Sequence, residues 1–430
     1  MKPLHCDVGI LGAGVAGLSA AAILKTAGLS VHCLEATPRI GGRILTIHDP
    51  LCPIPLELGA EFVHGRPPET FNIIRSANLK CFEHTGHAVY FLNGKPTQKG
   101  AVAETADQVM QHMANTKRRS DESFEQFLKR SHHSTQTKNW ARLQVEGFNA
   151  ARSDLISVGS LINESAAADK IDGDRAFRIL DGYDAIPQAL LRAIADHPSV
   201  IHLNSVAQTI RWQPNQVEVG YTNTLTNAAQ LLRCRRLIIT VPLGVLQAGS
   251  PQFDPEPTAP LTAARELQFG HVYRITLRFR DAFWQEEKSL DRAGFLISQD
   301  KRFFTWWTTH PVIAPVLTGW MAGSAADDFL PANPQVVLHE ALQSLTRILK
   351  RNLPPVEAFY FHDWQADPHF RGAYSYVPFT TQGARERLAK PVRHTLYFSG
   401  EATDIHGHGS TVHGAIASGR RSAQQILKSF

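Results

Sequence analysis

The sequence predicts an α/β fold built on a Rossmann-like dinucleotide-binding domain. Three observations carry that reading. A glycine-punctuated turn, Gly12-Ala13-Gly14-Val15-Ala16-Gly17, joins a β-rich apolar run to an alanine-rich helical segment. A second apolar strand ends in the acidic Glu35, at the distance a β-α-β unit requires. Far along the chain, Arg236 to Val241 is a continuous β-branched run of the kind buried in a sheet. Composition agrees: 430 residues, 43% hydrophobic and 19% charged, are chain enough for two or three domains and too apolar for a disordered one. The net charge is only +5 and the longest basic run is Lys117-Arg118-Arg119, which argues against nucleic acid as a partner.

In order, the strand Cys6 to Leu11 feeds the turn, and the helix runs to Ala27 and stops at Gly28. The apolar stretch Val8 to Leu24 invites a signal peptide or membrane span, but Gly9, Gly12, Gly14 and Gly17 interrupt it. No membrane association is expected, and the expected location is cytoplasmic. The five cysteines, Cys6, Cys33, Cys52, Cys81 and Cys234, are odd in number, far apart in sequence and form no C-x-x-C pair, which fits a reducing compartment. Within the turn, Gly12 permits the tight bend, Gly14 removes the side chain that would block a pyrophosphate, and Gly17 lets the helix pack close to the sheet. The phosphates then sit against the helix N-terminus, where unpaired N–H groups favour anions. The strand Leu29 to Leu34 leads to Glu35, whose carboxylate would accept from adenosine ribose hydroxyls and repel a 2′-phosphate. Ala16 and Ala36 belong to the same expected cofactor path. The alternative is a glycine-rich strand–helix turn with no ligand.

Arg39-Ile40-Gly41-Gly42-Arg43 follows the acidic strand end and resembles the second FAD signature of the flavin amine oxidase superfamily, marking the GR2 type of FAD domain. The resemblance implies that Arg39 and Arg43 reach the pyrophosphate and that Gly41 and Gly42 pass close under the cofactor. Without it, the segment reads as a solvated basic turn. Glu57 to Gly65 resembles a segment of polyamine oxidases that runs beside the isoalloxazine ring, implying that Gly59, Ala60 and Glu61 lie against the flavin. His64 matches a histidine in the catalytic cleft of mammalian-type polyamine oxidases; a loop histidine is also readily structural.

From Phe71 to Arg178 the pattern is largely helical and polar, with a solvated charged face over Lys117 to Asn139. Gly147 to Ala150 and Phe177 to Tyr183 bracket a return to the cofactor domain, where a helix Ala185 to Ala195 leads to a strand Val200 to Leu203. Val206, just beyond, matches the superfamily position whose backbone contacts adenine, or is an ordinary core valine. The proline-rich stretch Pro251 to Pro260 reads as a connection into the second domain. There Val272 to Phe279 alternates, with Tyr273, Ile275, Leu277 and Phe279 on one face and Val272, Arg274, Thr276 and Arg278 on the other. The frame Phe269 to Phe279, followed by Phe283-Trp284, resembles the amine oxidase segment whose lysine bonds a water at flavin N5. Arg274 stands at that lysine. A permanently charged arginine cannot act as a base, so the implied role is electrostatic; the alternative is an arginine on the polar face of a strand.

Trp364 to Pro368, then Gly372-Ala373-Tyr374-Ser375-Tyr376, and finally Ser399-Gly400-Glu401-Ala402-Thr403 with Thr411-Val412-His413-Gly414-Ala415 resemble, in order and spacing, the closing motifs of polyamine oxidases and flavin histone demethylases. The strand Thr395 to Ser399 delivers Gly400, and Glu401 would meet the ribityl or diphosphate part of FAD. Thr411 opens a last helix with Val412, Ile416, Ala423, Leu427 and Phe430 on its apolar face, its N-terminus aimed at the flavin. Tyr374 matches one wall of an aromatic cage for the amine, and Thr411 the facing wall, which is not aromatic here. The histidines 406, 408 and 413 do not assemble a convincing metal set. No cysteine lies in this closing segment, so the FAD is expected to be non-covalent.

The resemblance to the flavin amine oxidase family extends over essentially the whole chain. It implies a Rossmann-like FAD domain from 1–72, 180–248 and 392–430 interleaved with an α+β substrate domain of mixed sheet and helices from 73–179 and 249–391. The implied reaction passes hydride from a polyamine or a secondary or primary amine to flavin N5, with imine hydrolysis and reoxidation by O2 to give H2O2. Amine and O2 are thus the expected partners, with oligomeric state open. An L-amino acid oxidase, a desaturase or protoporphyrinogen-type oxidase, and a non-catalytic flavoprotein remain as alternatives.

Overall fold

The computed structural model describes residues 2–92, 94–97, 103–331 and 333–430. Its N-terminal unit begins with the strand Leu4–Leu11, the helix Val15–Thr26 and the strand Val31–Leu34. The strand Leu4–Leu11 lies parallel to Val31–Leu34 on one side and to the long strand Ala228–Ile239 on the other, so the β-α-β unit sits inside a larger sheet. Ile201–His202 extends the parallel part beyond Val31–Leu34, and Leu396–Phe398 pairs in parallel with the end of Ala228–Ile239. An antiparallel meander, Ser205–Gln213 to Gln216–Asn223 to Ala228–Ile239, completes the sheet.

Alanine and glycine shape the helix Val15–Thr26. Val15, Ala16, Gly17, Leu18, Ser19, Ala20, Ala21 and Leu24 are all buried, because the sheet covers one face and the last helix, Val412–Ser429, covers another. A methyl group added at Gly419 would stand 2.0 Å from the carbonyl oxygen of Ala16, so the two helices touch backbone to backbone. That contact draws the first and last segments of the chain onto one site.

Three sequence expectations need correction here. The stretch Pro251 to Pro260 does not leave the first sheet: Gln252–Asp254 pairs in parallel with Ser205–Gln213, and Leu261, Ala263, Ala264 and Leu267 share a core with Leu11, Leu34 and Leu237. The last helix buries Ile416, Ala423 and Ile426, whereas Leu427 and Phe430 are 38% and 41% exposed, because the 3.6-residue repeat carries Ile426 rather than Leu427 to the core. The strand Val272–Phe279 has no solvated face, every residue being buried.

The last point follows from the second sheet, whose strand order is Val356–Phe361, Val272–Phe279, Val316–Ala322, Thr305–Trp307, Ala293–Ser298, His87–Leu92, Lys95–Thr97. The helix Pro334–Leu349 supplies Val337, Ala341, Leu345 and Ile348 to a core with Ile275, Leu277 and Phe279. On the opposite face, carboxylates of the 46–61 segment meet the strand's arginines: Asp49 bonds Arg278 at 3.0 Å, and Glu61 bonds Arg274. Polar alternation was real, but charge pairing replaces water. Helices Ala103–Asn115, Phe124–Arg130, Thr135–Asn149 and Val158–Asp169 form the predicted helical part, preceded by the hairpin His87–Leu92 and Lys95–Thr97.

Candidate active site

A cavity of about 1090 Å3 runs from the glycine turn of the first sheet to the second sheet and the helix Thr135–Asn149. At one end, Gly12, Gly14, Val15 and Ala16 form its wall. Gly12 has φ +100°, and a methyl group there would meet the Thr240 hydroxyl at 2.4 Å. A Cβ on Gly14 meets protein no closer than 4.0 Å, so a side chain would enter the cavity. The helix that starts here has no side-chain N-cap, leaving first-turn N–H donors for an anion. Uncapped donors beside side-chain-free space fit a pyrophosphate.

Glu35 lines the same end and is 6% exposed. Its carboxylate accepts from the Ala13 N–H at 2.7 Å and from the Thr37 N–H and hydroxyl at 2.9 and 2.8 Å. Three of roughly four acceptor directions are taken, which fixes the group and leaves one for a ribose hydroxyl. Ala36 and Val206 flank it on the cavity wall, Val206 lying within the strand Ser205–Gln213.

Gly41, Gly42, Arg43, Gly59, Ala60 and Glu61 continue the wall, as do Gly400, Glu401, Thr411 and Val412. Two residues of the expected cofactor motifs do not line the cavity. Arg39 turns its guanidinium onto the carbonyls of Ile44 and Gly42 at 2.9 and 2.8 Å, where it holds the loop together rather than reaching toward a pyrophosphate. Gly17 faces Gly12, whose carbonyl oxygen would be 1.9 Å from an added Cβ. Arg43 does reach the cavity and donates to the Ala373 carbonyl and to Glu401 at 2.7 and 2.9 Å. Burial raises the Glu401 pKa, but Arg43, Arg385 and the Ser375 hydroxyl outweigh it and hold the carboxyl below its usual range. Arg385, unremarked in the sequence, donates to Ser375 Oγ and to the Glu401 carbonyl at 2.9 and 3.0 Å.

The last helix opens on this wall. Thr411 spends its hydroxyl on the helix itself, accepting from the Gly414 N–H at 3.0 Å and donating to the His408 carbonyl at 2.7 Å. Val412 and His413 in the first turn line the cavity, so the positive end of an 18-residue helix is presented there.

Farther along stand Arg274, Trp307, Tyr374, His64 and Phe148. Arg274 donates to the Gly59 carbonyl at 2.7 Å and to Glu61, and its guanidinium lies 5.5 Å from the Trp307 ring centre. Glu61 also accepts from Trp307 Nε1 at 3.0 Å and meets Arg178 at 2.7 Å. Burial would raise its pKa, yet Arg178 and Arg274 together hold it below the usual carboxylate range. Tyr374 donates its hydroxyl to the Phe148 carbonyl at 2.8 Å. Burial pushes His64 down to about 4 and, with His408 nearby, His413 down to about 3, so both imidazoles are neutral at pH 7.

Sequence reading missed Phe148, Trp307 and Arg385 as wall or support residues. Trp307 carried a signal, since a buried indole N–H needs a partner and the paired tryptophans at 306 and 307 sit on one strand. Phe148 and Arg385 carried none, as each is brought in by tertiary packing alone.

A family model described as flavin containing amine oxidoreductase matches residues 15–427. Probable polyamine oxidase 4 of Arabidopsis thaliana is 26% identical over 97% of this chain and 86% of its own length. A lysine-specific histone demethylase 1 homolog 2 of Oryza sativa subsp. japonica is 28% identical over 99% of this chain, which spans 57% of that relative's length. Among solved structures, a putrescine oxidase bound to putrescine superposes with a TM-score of 0.83 at 21% identity, covering 99% of this chain and 100% of that one. Cyclohexylamine oxidase from Brevibacterium oxydans gives 0.80 at 20% identity, covering 99% of each. At that identity these two speak to the fold alone, and the fold agrees with a dinucleotide domain joined to a second sheet.

Proposed function

The chain belongs to the flavin containing amine oxidoreductase family and its cofactor is FAD; from that premise we propose that it oxidises small-molecule amines at a carbon–nitrogen bond, with O2 as the electron acceptor. One observation carries the proposal: a single cavity joins the uncapped helix N-terminus at Gly14 to the wall of Arg274, Tyr374 and Thr411. A dinucleotide would fill the first part and leave the second for substrate. When bound, FAD supplies a two-electron acceptor for hydride from the amine α-carbon, the imine being hydrolysed and O2 consumed to give H2O2.

The chain's own residues hold, orient and exclude water. Gly12, Gly14, Ala16, Glu35, Ala36 and Val206 would hold the adenosine diphosphate half. Gly41, Gly42, Arg43, Gly59, Ala60, Gly400, Glu401 and Val412 would hold the remainder, with the last helix placing positive potential at its end. None of the five cysteines lines the cavity, which supports a non-covalent cofactor. Tyr374 and Thr411 would flank the amine, and neutral His64 adds no charge to repel or protonate it. Arg274 would act through its fixed positive charge. No helix among the described residues is long and apolar enough to cross a membrane.

An amino acid oxidase would need an arginine free to grip a carboxylate. Glu61 and the Gly59 carbonyl hold Arg274, Glu61 also holds Arg178, and Glu401 and the Ala373 carbonyl hold Arg43, while Arg371 lines the cavity beside Gly244. The test is anaerobic: the purified protein should be yellow, release FAD on denaturation, and bleach with amines. A yellow protein that no amine bleaches would end the oxidase reading.

A further inference from the structure

The end of the helix Thr135–Asn149 is tied to the cavity wall by two aromatic side chains. Trp320 Nε1 donates to the Gly147 carbonyl at 2.9 Å, and the Tyr374 hydroxyl donates to the Phe148 carbonyl at 2.8 Å. These are carbonyls that a helix C-terminus leaves without intrahelical partners. Asn149 donates to Glu164 at 3.2 Å, and Ala150 ends the helix in the left-handed region at φ 47°. Gly147 leaves no slack either, since a Cβ there would meet the Phe304 ring at 2.8 Å.

On this fixed backbone the Phe148 ring is 64% exposed, although it lines the cavity. Among the described residues, the ring it meets is His64, edge to face, with centroids 5.4 Å apart. An aromatic ring carried on a fixed backbone and left open inside a cavity is a surface waiting for an apolar partner. Leu143, Phe295, Trp307 and Trp320 line the same cavity with apolar side chains.

Resting on the oxidase reading above, we propose that Phe148 is the apolar wall of the substrate cleft and selects amines bearing a bulky apolar group, aralkyl or cycloalkyl, over linear di- and polyamines. Of the carboxylates on the wall, Glu61 and Glu164 are poor anchors for a second ammonium, and Asp107 and Asp174 are exposed to water, where an ion pair is worth little. Glu61 is spent on two arginines, and Glu164 accepts from Asn149 and from the Ser160 hydroxyl at 2.9 Å. The aromatic wall missing at Thr411 is thereby supplied from the helical domain, keyed to Tyr374 through one hydrogen bond.

The test compares steady-state rates of the FAD-loaded protein with phenethylamine, cyclohexylamine, propylamine, putrescine and spermidine. Wild type should turn over the first two with kcat/KM at least tenfold above putrescine or spermidine. Phe148→Ala should lose about ten- to hundredfold in kcat/KM for phenethylamine, mostly through KM, and several-fold less for propylamine. Phe148→Leu should recover much of the loss, with the 450 nm flavin absorbance per chain equal in all three proteins. Preference of the wild type for putrescine or spermidine would overturn the proposal while leaving the oxidase reading standing, and needs no variant to fold. An equal loss for every amine, or loss of flavin from Phe148→Ala, would also overturn it by assigning the ring to the cofactor. Bleaching by no amine would remove both readings.

Discussion

Arg274 and Glu61 form an ion pair sealed into the cavity wall, their side chains 4% and 3% exposed. Such a pair is held by its geometry, and removing one member strands the other. Glu61 keeps Arg178 as a second partner, which limits the damage. Arg274→Met is therefore expected to cost about 3 kcal/mol, a melting temperature lower by several degrees. Removal of the fixed charge should also slow reoxidation of the flavin by O2 in rapid mixing. Arg274→Lys keeps the charge but cannot bond Glu61 and the Gly59 carbonyl with one planar fork, so it should fall between the two. Unchanged reduction and reoxidation in Arg274→Met would leave Arg274 with a structural role only.

Gly14→Val tests the other end of the cavity. A Cβ there stands 4.0 Å from the nearest protein atom, the Gly42 Cα, so the side chain extends into the space assigned to the pyrophosphate. The variant should fold with an unchanged far-ultraviolet spectrum and purify colourless, with FAD affinity weakened at least a hundredfold in a titration. Wild-type flavin content in Gly14→Val would place the cofactor elsewhere.

Local patterns made the cofactor end legible. The β-α-β unit, its glycines and Glu35 are neighbours in sequence, and short-range sterics fix what each can do. The end proposed to hold substrate was less so, because its residues meet only through long-range packing. Arg274 on an alternating strand looks like any polar-face arginine until the 46–61 segment is laid across it, with Glu61 as its partner. Arg39 belonged to a motif whose arginines were expected at the phosphates, yet the loop's own carbonyls claim it. Cys6 and Cys234, remote in sequence, face each other across parallel strands as free thiols. In each case, the deciding partner lies outside the window in which periodicity can be read.

Glu57 gives a stability test independent of catalysis. Its carboxylate accepts from the Thr46 hydroxyl at 2.6 Å and the Tyr183 N–H at 2.8 Å, but burial outweighs both and raises its pKa from 4.5 to about 7. The folded protein thus holds this proton more tightly than the unfolded chain. Its stabilising contribution is complete below about pH 4.5 and is lost as pH rises through about 7. Glu57→Gln keeps the shape without the charge, so it should be more stable than wild type by about 2–3 kcal/mol at pH 8–9. The gap should close toward pH 5 in chemical denaturation. A gap independent of pH would mean that the carboxyl is not protonated on folding.

The pH profile of the reaction should belong to the substrate rather than to the histidines of the cleft. His64 and His413, at about 4 and about 3, stay neutral from pH 5 to 9 and contribute no limb in that range. Their depressed values act on stability instead: the contribution is present above the unfolded histidine value of about 6.5 and is lost as pH falls through about 4. A free primary amine titrates near the lysine value, about 10.4, and only its neutral form can give up hydride. The rate of anaerobic flavin reduction at subsaturating amine should therefore climb close to tenfold per pH unit between 6 and 9. It should level off earlier for an amine of lower pKa. A flat profile with a primary amine, or a limb near 6.5 abolished by His64→Ala, would transfer the titration from the substrate to the protein.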